Sequence, residues 1–163
     1  MPQKPGFSDL YVTVNASPVE LREETFTRQI AHYLERNRLA PSALIIEVTE
    51  RVAIDAKEDH RPLKALHDLR ALGVGIALDD FGTGYSSLSY LRNLPLTALK
   101  IDKSFVEGIG RDTVEERIIA AIIALANAMS LDTIAEGIEE PQQADWLEDA
   151  KCTKGQGYLI SRP

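Results

Sequence analysis

Six short segments recur along the chain, most of them apolar, and each carries carboxylate, amide or ammonium side chains at or near its end. They are LYVTVNAS (10–17), ALIIEVT (43–49), GIALDD (75–80), LTALKID (96–102), DTIAEGI (132–138) and CTKGQGYLI (152–160). The first alternates and is β-branched, as a half-buried strand does, and the second is continuously apolar, as a parallel strand buried on both faces is. Helix-patterned stretches separate them. Ser17, Pro18 and Glu20 form a capping-box start for a helix running to about Arg38, with Leu21, Phe26, Ile30, Tyr33 and Leu34 on one face. Further helices are predicted over 61–72, closed by Gly73, from Ser86 or Ser87 to Leu94, over 114–129, and across PQQADWLEDA. Strand–helix alternation of this kind demands a parallel sheet. An open doubly wound sheet and a (β/α) barrel both satisfy the count. A whole barrel needs eight strands and about 250 residues, so these 163 residues would fall about two strands short of one.

Composition removes several function classes. The net charge of −7 argues against a nucleic-acid surface. It does not exclude a small phosphorylated ligand, because bound metal ions reverse local charge. Cys152 is the one cysteine, which rules out an intrachain disulfide and a thiolate zinc cluster, and His32, His60 and His67 are too few and too scattered to suggest a His-based site. No apolar run reaches the roughly 20 residues that span a bilayer, and the first residues lack the apolar core of a signal peptide. A reducing cytoplasm is the expected setting, with a membrane-anchored parent protein still compatible.

The chemistry is concentrated where the strands end. The first ends at Asn15, the second at Glu47 and Glu50, the third at Asp79 and Asp80, the fourth at Lys100 and Asp102, the fifth at Glu136 and Glu139, and the sixth carries Gln156. In a parallel barrel those ends share one face, where active sites are built. Carboxylates there cannot be packing residues, since burying an unpaired one is costly. An oxygen-rich set without His or Cys suits a hard cation such as Mg²⁺ or Mn²⁺. Two such ions about 4 Å apart would activate a water and stabilise the leaving oxygen of a phosphodiester, and Lys100 would add a fixed positive charge. Each signal has a bland counterpart. A lone Asp-Asp is ordinarily a solvated turn, an isolated lysine a surface or ion-pair residue, an isolated Asn15 or Gln156 a structural hydrogen-bonding group, and FGTG alone is a weak phosphate-loop signal. Coincidence across six strand ends outweighs these individual readings.

With these residues in place, the chain resembles the EAL family of cyclic-di-GMP phosphodiesterases. The matching runs are VNAS (14–17), IIEVTE (45–50), LDDFGTGYSSLSYLRNLPLTALKIDKSFV (78–106), IAEGIE (134–139) and KGQGYLISRP (154–163), in the family's order and spacing. The resemblance implies a TIM-like (β/α) barrel that hydrolyses cyclic-di-GMP to linear pGpG with Mg²⁺ or Mn²⁺ in a two-metal site, in bacterial second-messenger signalling. It makes Asn15, Glu47 and Asp79 ligands of a first metal, with Asp79 bridging to a second that Asp80 also binds. Lys100 matches the lysine that contacts the attacking water, and Glu136 a glutamate that binds metal or water and is often assigned as general base. Glu139 and Gln156 match supporting positions around the metals, and Glu50 matches the anchor of the FGTGYSS loop, which in the family couples a dimer interface to the metal site.

One departure is large. The Glu-Ala-Leu motif that names the family lies upstream of the VNAS strand, and only fourteen residues precede Asn15. The expectation is therefore that residues 1–163 are the C-terminal two-thirds of an EAL domain, about six of eight strands, without one ligand of the first metal. Weak or absent turnover is expected of the chain itself, though not of its parent domain. The alternative is a non-catalytic cyclic-di-GMP-binding or dimerisation module. A homodimer is expected, and the resemblance leaves room for an upstream GGDEF or sensory domain in the parent.

Overall fold

The computed structural model describes residues 10–55, 59–82, 91–111 and 114–162. The strands are β1 (Val12–Asn15), β2 (Leu44–Thr49), β3 (Gly75–Phe81), β4 (Ala98–Ile101), β5 (Asp132–Ala135) and β6 (Lys154–Gly155). The helices are α1 (Pro18–Arg22), α2 (Phe26–Asn37), α3 (Glu50–Asp55), α4 (Arg61–Leu72), α5 (Lys103–Val106), α6 (Val114–Ala128) and α7 (Pro141–Asp149), with a 3₁₀ turn at Pro41–Ala43. The strands follow one another in the sheet in chain order. The chain divides into two compact units. One holds the described residues up to Ala77 together with 91–95, and the other holds 78–82 and everything from Leu96 onward, so β3 contributes to both.

In the first unit β1 and β2 run parallel, with Val12 opposite Leu44 and Asn15 opposite Glu47. β2 buries Ile45, Ile46, Glu47 and Val48, the two-sided burial that its continuous apolar run predicts. β1 behaves differently. All four of its residues are exposed, Val12 at 64%, and among the described residues β2 is its one strand neighbour. The α1 start forms as expected: the Ser17 hydroxyl accepts from the Glu20 N–H while the Glu20 carboxylate accepts from the Ser17 N–H. The single helix expected over 18–38 is instead two. The backbone turns extended at Glu23 (φ −71°, ψ 119°). Glu23 and Glu24 would oppose the dipole at the end of α1 but favour the start of α2, so the break suits them. On α2 Leu34 is buried, whereas Tyr33, expected on the apolar face, is 59% exposed. α4 buries Ala65, Leu66 and Leu69 at helical spacing and ends as read, on Gly73 at φ +96°.

In the second unit β4, β5 and β6 run parallel, with Lys100 opposite Ile134 and Ala135 opposite Gly155. β4 is buried at every residue. Thr133 and Thr153 lock the approach to β6: the Thr133 N–H donates to Thr153 Oγ1 (2.7 Å) and the Thr153 N–H to Thr133 Oγ1 (3.0 Å). α6 buries Ile119, Ile122, Ile123 and Ala126. β6 is two residues long, much shorter than the segment 152–160 suggests. The helices α3 and α5 were not expected. At six and four residues they are too short to display a helical period. Asp102 starts α5 by accepting the Ser104 N–H (2.9 Å). The short helix expected from Ser86 or Ser87 lies largely outside the described residues. None of the described helices is long and apolar enough to cross a membrane.

At the foot of α4, Asp59 accepts from the Arg61 guanidinium (2.9 Å) and pairs with Arg22 Nε (3.1 Å). Hydrogen bonds from Arg61 hold its carboxyl down, from 3.8 to about 2. Lowering a carboxyl pKa on folding gives stability that is present above the unfolded value and fades as pH falls toward the folded one. Asp59 should therefore titrate near pH 2 by carboxyl NMR, and Arg61→Ala should return it toward 3.8.

Candidate active site

Each strand-end residue enters through its own element. In the first unit Asn15 is the last residue of β1 and Glu47 is its register partner on β2. Glu47 is 7% exposed, and Glu50, the first residue of α3, is 9% exposed. In an apolar strand, a glutamate buried to that degree is held by polar partners. The loop that Glu50 is expected to anchor lies, after Phe81 and Gly82, outside the described residues.

The second unit brings the remaining chemistry to one lysine. Lys100, on the fully buried β4, is 4% exposed. Its ammonium lies 2.9 Å from Asp79 Oδ1 and 2.7 Å from Glu136 Oε1. The Gln156 amide donates to that same Glu136 oxygen at 2.7 Å. Three strands and the β6 end thus converge through Lys100 and Glu136, as their positions in sequence predict. A buried ammonium would ordinarily be unfavourable, and two carboxylates offset it. Asp79 and Asp80 do not follow the simple alternation of an extended strand. Asp80 has φ +56°, a left-handed conformation costing about 1 kcal/mol in a residue with a Cβ, and its N–H turns back to Asp79 Oδ1 (3.1 Å).

Glu139 stands apart from the Lys100 cluster. It pairs with Lys103 Nζ at 2.6 Å, and that hydrogen bond raises the Lys103 pKa. Among the described residues no three His, Cys, Asp or Glu side chains converge as a metal site. The donors expected to hold metal are divided, Asn15 and Glu47 in the first unit and Asp79, Asp80, Glu136 and Gln156 in the second. All are oxygen donors, which fits a hard cation. Beside Glu136 and Gln156 lies a cleft of about 500 Å³, also bordered by Lys103, Glu139, Tyr158 and Arg162. The Arg162 guanidinium stands 5.6 Å from the centre of the Tyr158 ring. Lys103 and Arg162 lie beyond the apolar segments and Tyr158 lies past Gln156 in the sixth, so the polar strand ends do not point to them. The aromatic and basic residues packed into GYLISRP were the available signal.

The EAL domain family model matches residues 2–163, and the chain belongs to that family. It is 40% identical to the bifunctional diguanylate cyclase/cyclic di-GMP phosphodiesterase MucR of Pseudomonas aeruginosa, over 97% of this chain and 23% of MucR. It is 44% identical to the cyclic di-GMP phosphodiesterase NbdA of the same organism, over 97% of this chain and 20% of NbdA. The chain therefore spans about a fifth of the length of the curated relatives it matches. Among solved structures, the PaMucR phosphodiesterase in complex with c-di-GMP superposes with a TM-score of 0.88 at 40% identity, over 97% of this chain and 63% of that one. The manganese and c-di-GMP complex of Klebsiella pneumoniae BlrP1 gives 0.82 at 30%, over 94% and 39%. The fold is the TIM-like (β/α) barrel of these EAL domains, and the chain carries six of its parallel strands.

Replacing Lys100 by Met would leave Asp79 and Glu136 without their common cation. Their side chains are 17% and 19% exposed, so the loss should fall below that of a fully buried pair, at about 2 kcal/mol by urea denaturation.

Proposed function

We propose that this domain hydrolyses cyclic-di-GMP to linear pGpG and that Mg²⁺ or Mn²⁺ supports the reaction. The observation that carries the reading is Lys100, buried between Asp79 and Glu136 on the strand ends of a domain whose relatives include named cyclic di-GMP phosphodiesterases. Asn15, Glu47, Asp79, Asp80, Glu136 and Gln156 are the residues that would hold metal. When bound, a divalent cation would supply a more acidic water and offset phosphate charge.

The chain's own residues account for the rest. Lys100 supplies the fixed cation next to the reacting phosphate and keeps Asp79 and Glu136 close despite their like charge. Glu136 is held by two donors on one oxygen, from Lys100 and Gln156, and so keeps a defined orientation as acceptor of the water's proton. The water oxygen adds to phosphorus as its proton passes to Glu136, the bond to the ribose 3′ oxygen breaks, and that oxygen takes a proton from solvent and leaves as a hydroxyl. Asn15 and Glu47, register partners on β1 and β2, are the donors that the first unit offers. The cleft beside Glu136 is of a size suited to a small-molecule ligand. Glu50 and Glu139 support the machinery from its margins. The reading includes a cytoplasmic homodimer, and a GGDEF or sensory domain in a larger parent accords with the name of MucR.

A second reading is binding without chemistry. The two separate on one comparison. The full protein that carries this domain, given Mn²⁺ and cyclic-di-GMP, should release pGpG, and chelation by EDTA should stop it. Asp79→Asn and Lys100→Ala should each lower turnover by at least about 100-fold. Calorimetric binding with Ca²⁺ but no pGpG with Mn²⁺ would establish the receptor instead.

A further inference from the structure

The mechanism above makes no use of Gln143, yet it is one of the few buried polar side chains, only 5% exposed. Its amide makes three hydrogen bonds in two directions. The oxygen accepts from the backbone N–H of Glu139 (2.8 Å) and of Glu140 (3.0 Å). The nitrogen donates to the carbonyl of Val106, the last residue of α5, at 3.2 Å. The orientation is forced, because the reverse would set an NH₂ against two N–H donors and an oxygen against a carbonyl.

Those two anchor points lie just beyond the two members of the central ion pair. Lys100 sits on β4, and α5 begins three residues later. Glu136 follows β5 directly, and the Glu139 and Glu140 amides come three and four residues after it. Lys103 grips the same segment from α5. Its Nζ pairs with Glu139, and its aliphatic stem fills the place where a side chain on Gly137 (φ +69°) would sit. On the opposite side the Ile138 N–H donates to the Gln156 carbonyl (3.1 Å), and Gly157 lies so close to the Ile138 backbone that no Cβ fits there. The segment carrying Glu136 is thus clasped from two sides, and Gln143 is its buried tie to α5.

We propose that Gln143 is a positioning residue, a latch that ties the segment after β5 to α5 and so fixes Glu136 against Lys100. The ordinary role for such a residue is capping, since it sits at the third position of α7 and takes the Glu140 N–H. A glutamate there would keep the cap, because its carboxylate accepts from both N–H groups. Ionised, at neutral pH and above, it would lose the bond to Val106, because the carboxylate has no hydrogen to donate. Gln143→Glu therefore separates latch from cap.

The proposal deepens the phosphodiesterase reading and rests on it for an activity readout, whereas amide exchange on this chain is independent of it. In folded Gln143→Glu, checked by circular dichroism, the amides of Glu136 and Ile138 should exchange about tenfold faster, with the α7 interior unchanged. In the full protein, kcat should fall about 10–100-fold with KM within about twofold. Exchange at Glu136 and Ile138 equal to that of the native chain overturns the latch, as does an unchanged kcat in a protein that hydrolyses cyclic-di-GMP. A native protein without hydrolysis overturns the phosphodiesterase reading, and exchange alone then decides the latch. Should Gln143→Glu not fold, Gln143→Met, which keeps the bulk but loses the bonds to Glu139, Glu140 and Val106, takes its place. Faster exchange at Glu136 and Ile138 supports the latch and native rates there overturn it.

Discussion

A lysine ammonium placed inside a parallel sheet has to find compensation, and Lys100 finds it in Asp79 and Glu136. Much of the second unit can be read from that requirement. β3 must end where Asp79 reaches the ammonium, β5 must deliver Glu136 to its other side, and Gln156 must arrive to share the Glu136 oxygen. The apolar residues of β4 exclude water from the pair and strengthen it. The same exclusion would make a missing partner costly, so each of these side chains constrains the others. Parallel strands suit this arrangement, since they bring residues distant in sequence to a common end, Asp79 and Lys100 within strands and Glu136 and Gln156 directly after them.

The polar strand ends were legible because a charge that closes an apolar run has few structural uses. Glu47, Asp79, Lys100 and Glu136 are legible in that way, whereas the neutral Asn15 and Gln156 gain meaning only from their place among the other strand ends. What escaped notice lacked a period. α3 and α5 are too short for one, the break at Glu23 carries neither Gly nor Pro, and the left-handed turn at Asp80 leaves no trace in a residue type that occurs everywhere. Gln143 escaped for another reason. On an amphipathic helix a glutamine reads as surface, and its burial depends on the backbone of two other segments. Long-range hydrogen bonds to main chain have no sequence signature, since every residue offers the same peptide group.

The two units differ in how their polar groups are held. In the second unit the charges are knotted to one another through Lys100, Glu136 and Gln156, then through Lys103 and Glu139. In the first, Asp59 collects Arg22 and Arg61 near the surface, where solvent screens the ions and the gain is modest. The first unit instead draws its stability from buried side chains such as Leu21, Ile46, Leu66, Leu69 and Val74.

β1 shows its side chains to water on both faces, with Leu10 and Val14 exposed beside Val12. That apolar area faces water on a chain with a surplus of seven negative charges, and salt acts on the two differently. It screens the charge, over a Debye length of about 8 Å at physiological ionic strength, and leaves the exposed apolar area as it is, so for this chain salt is a colloidal variable as well as an electrostatic one.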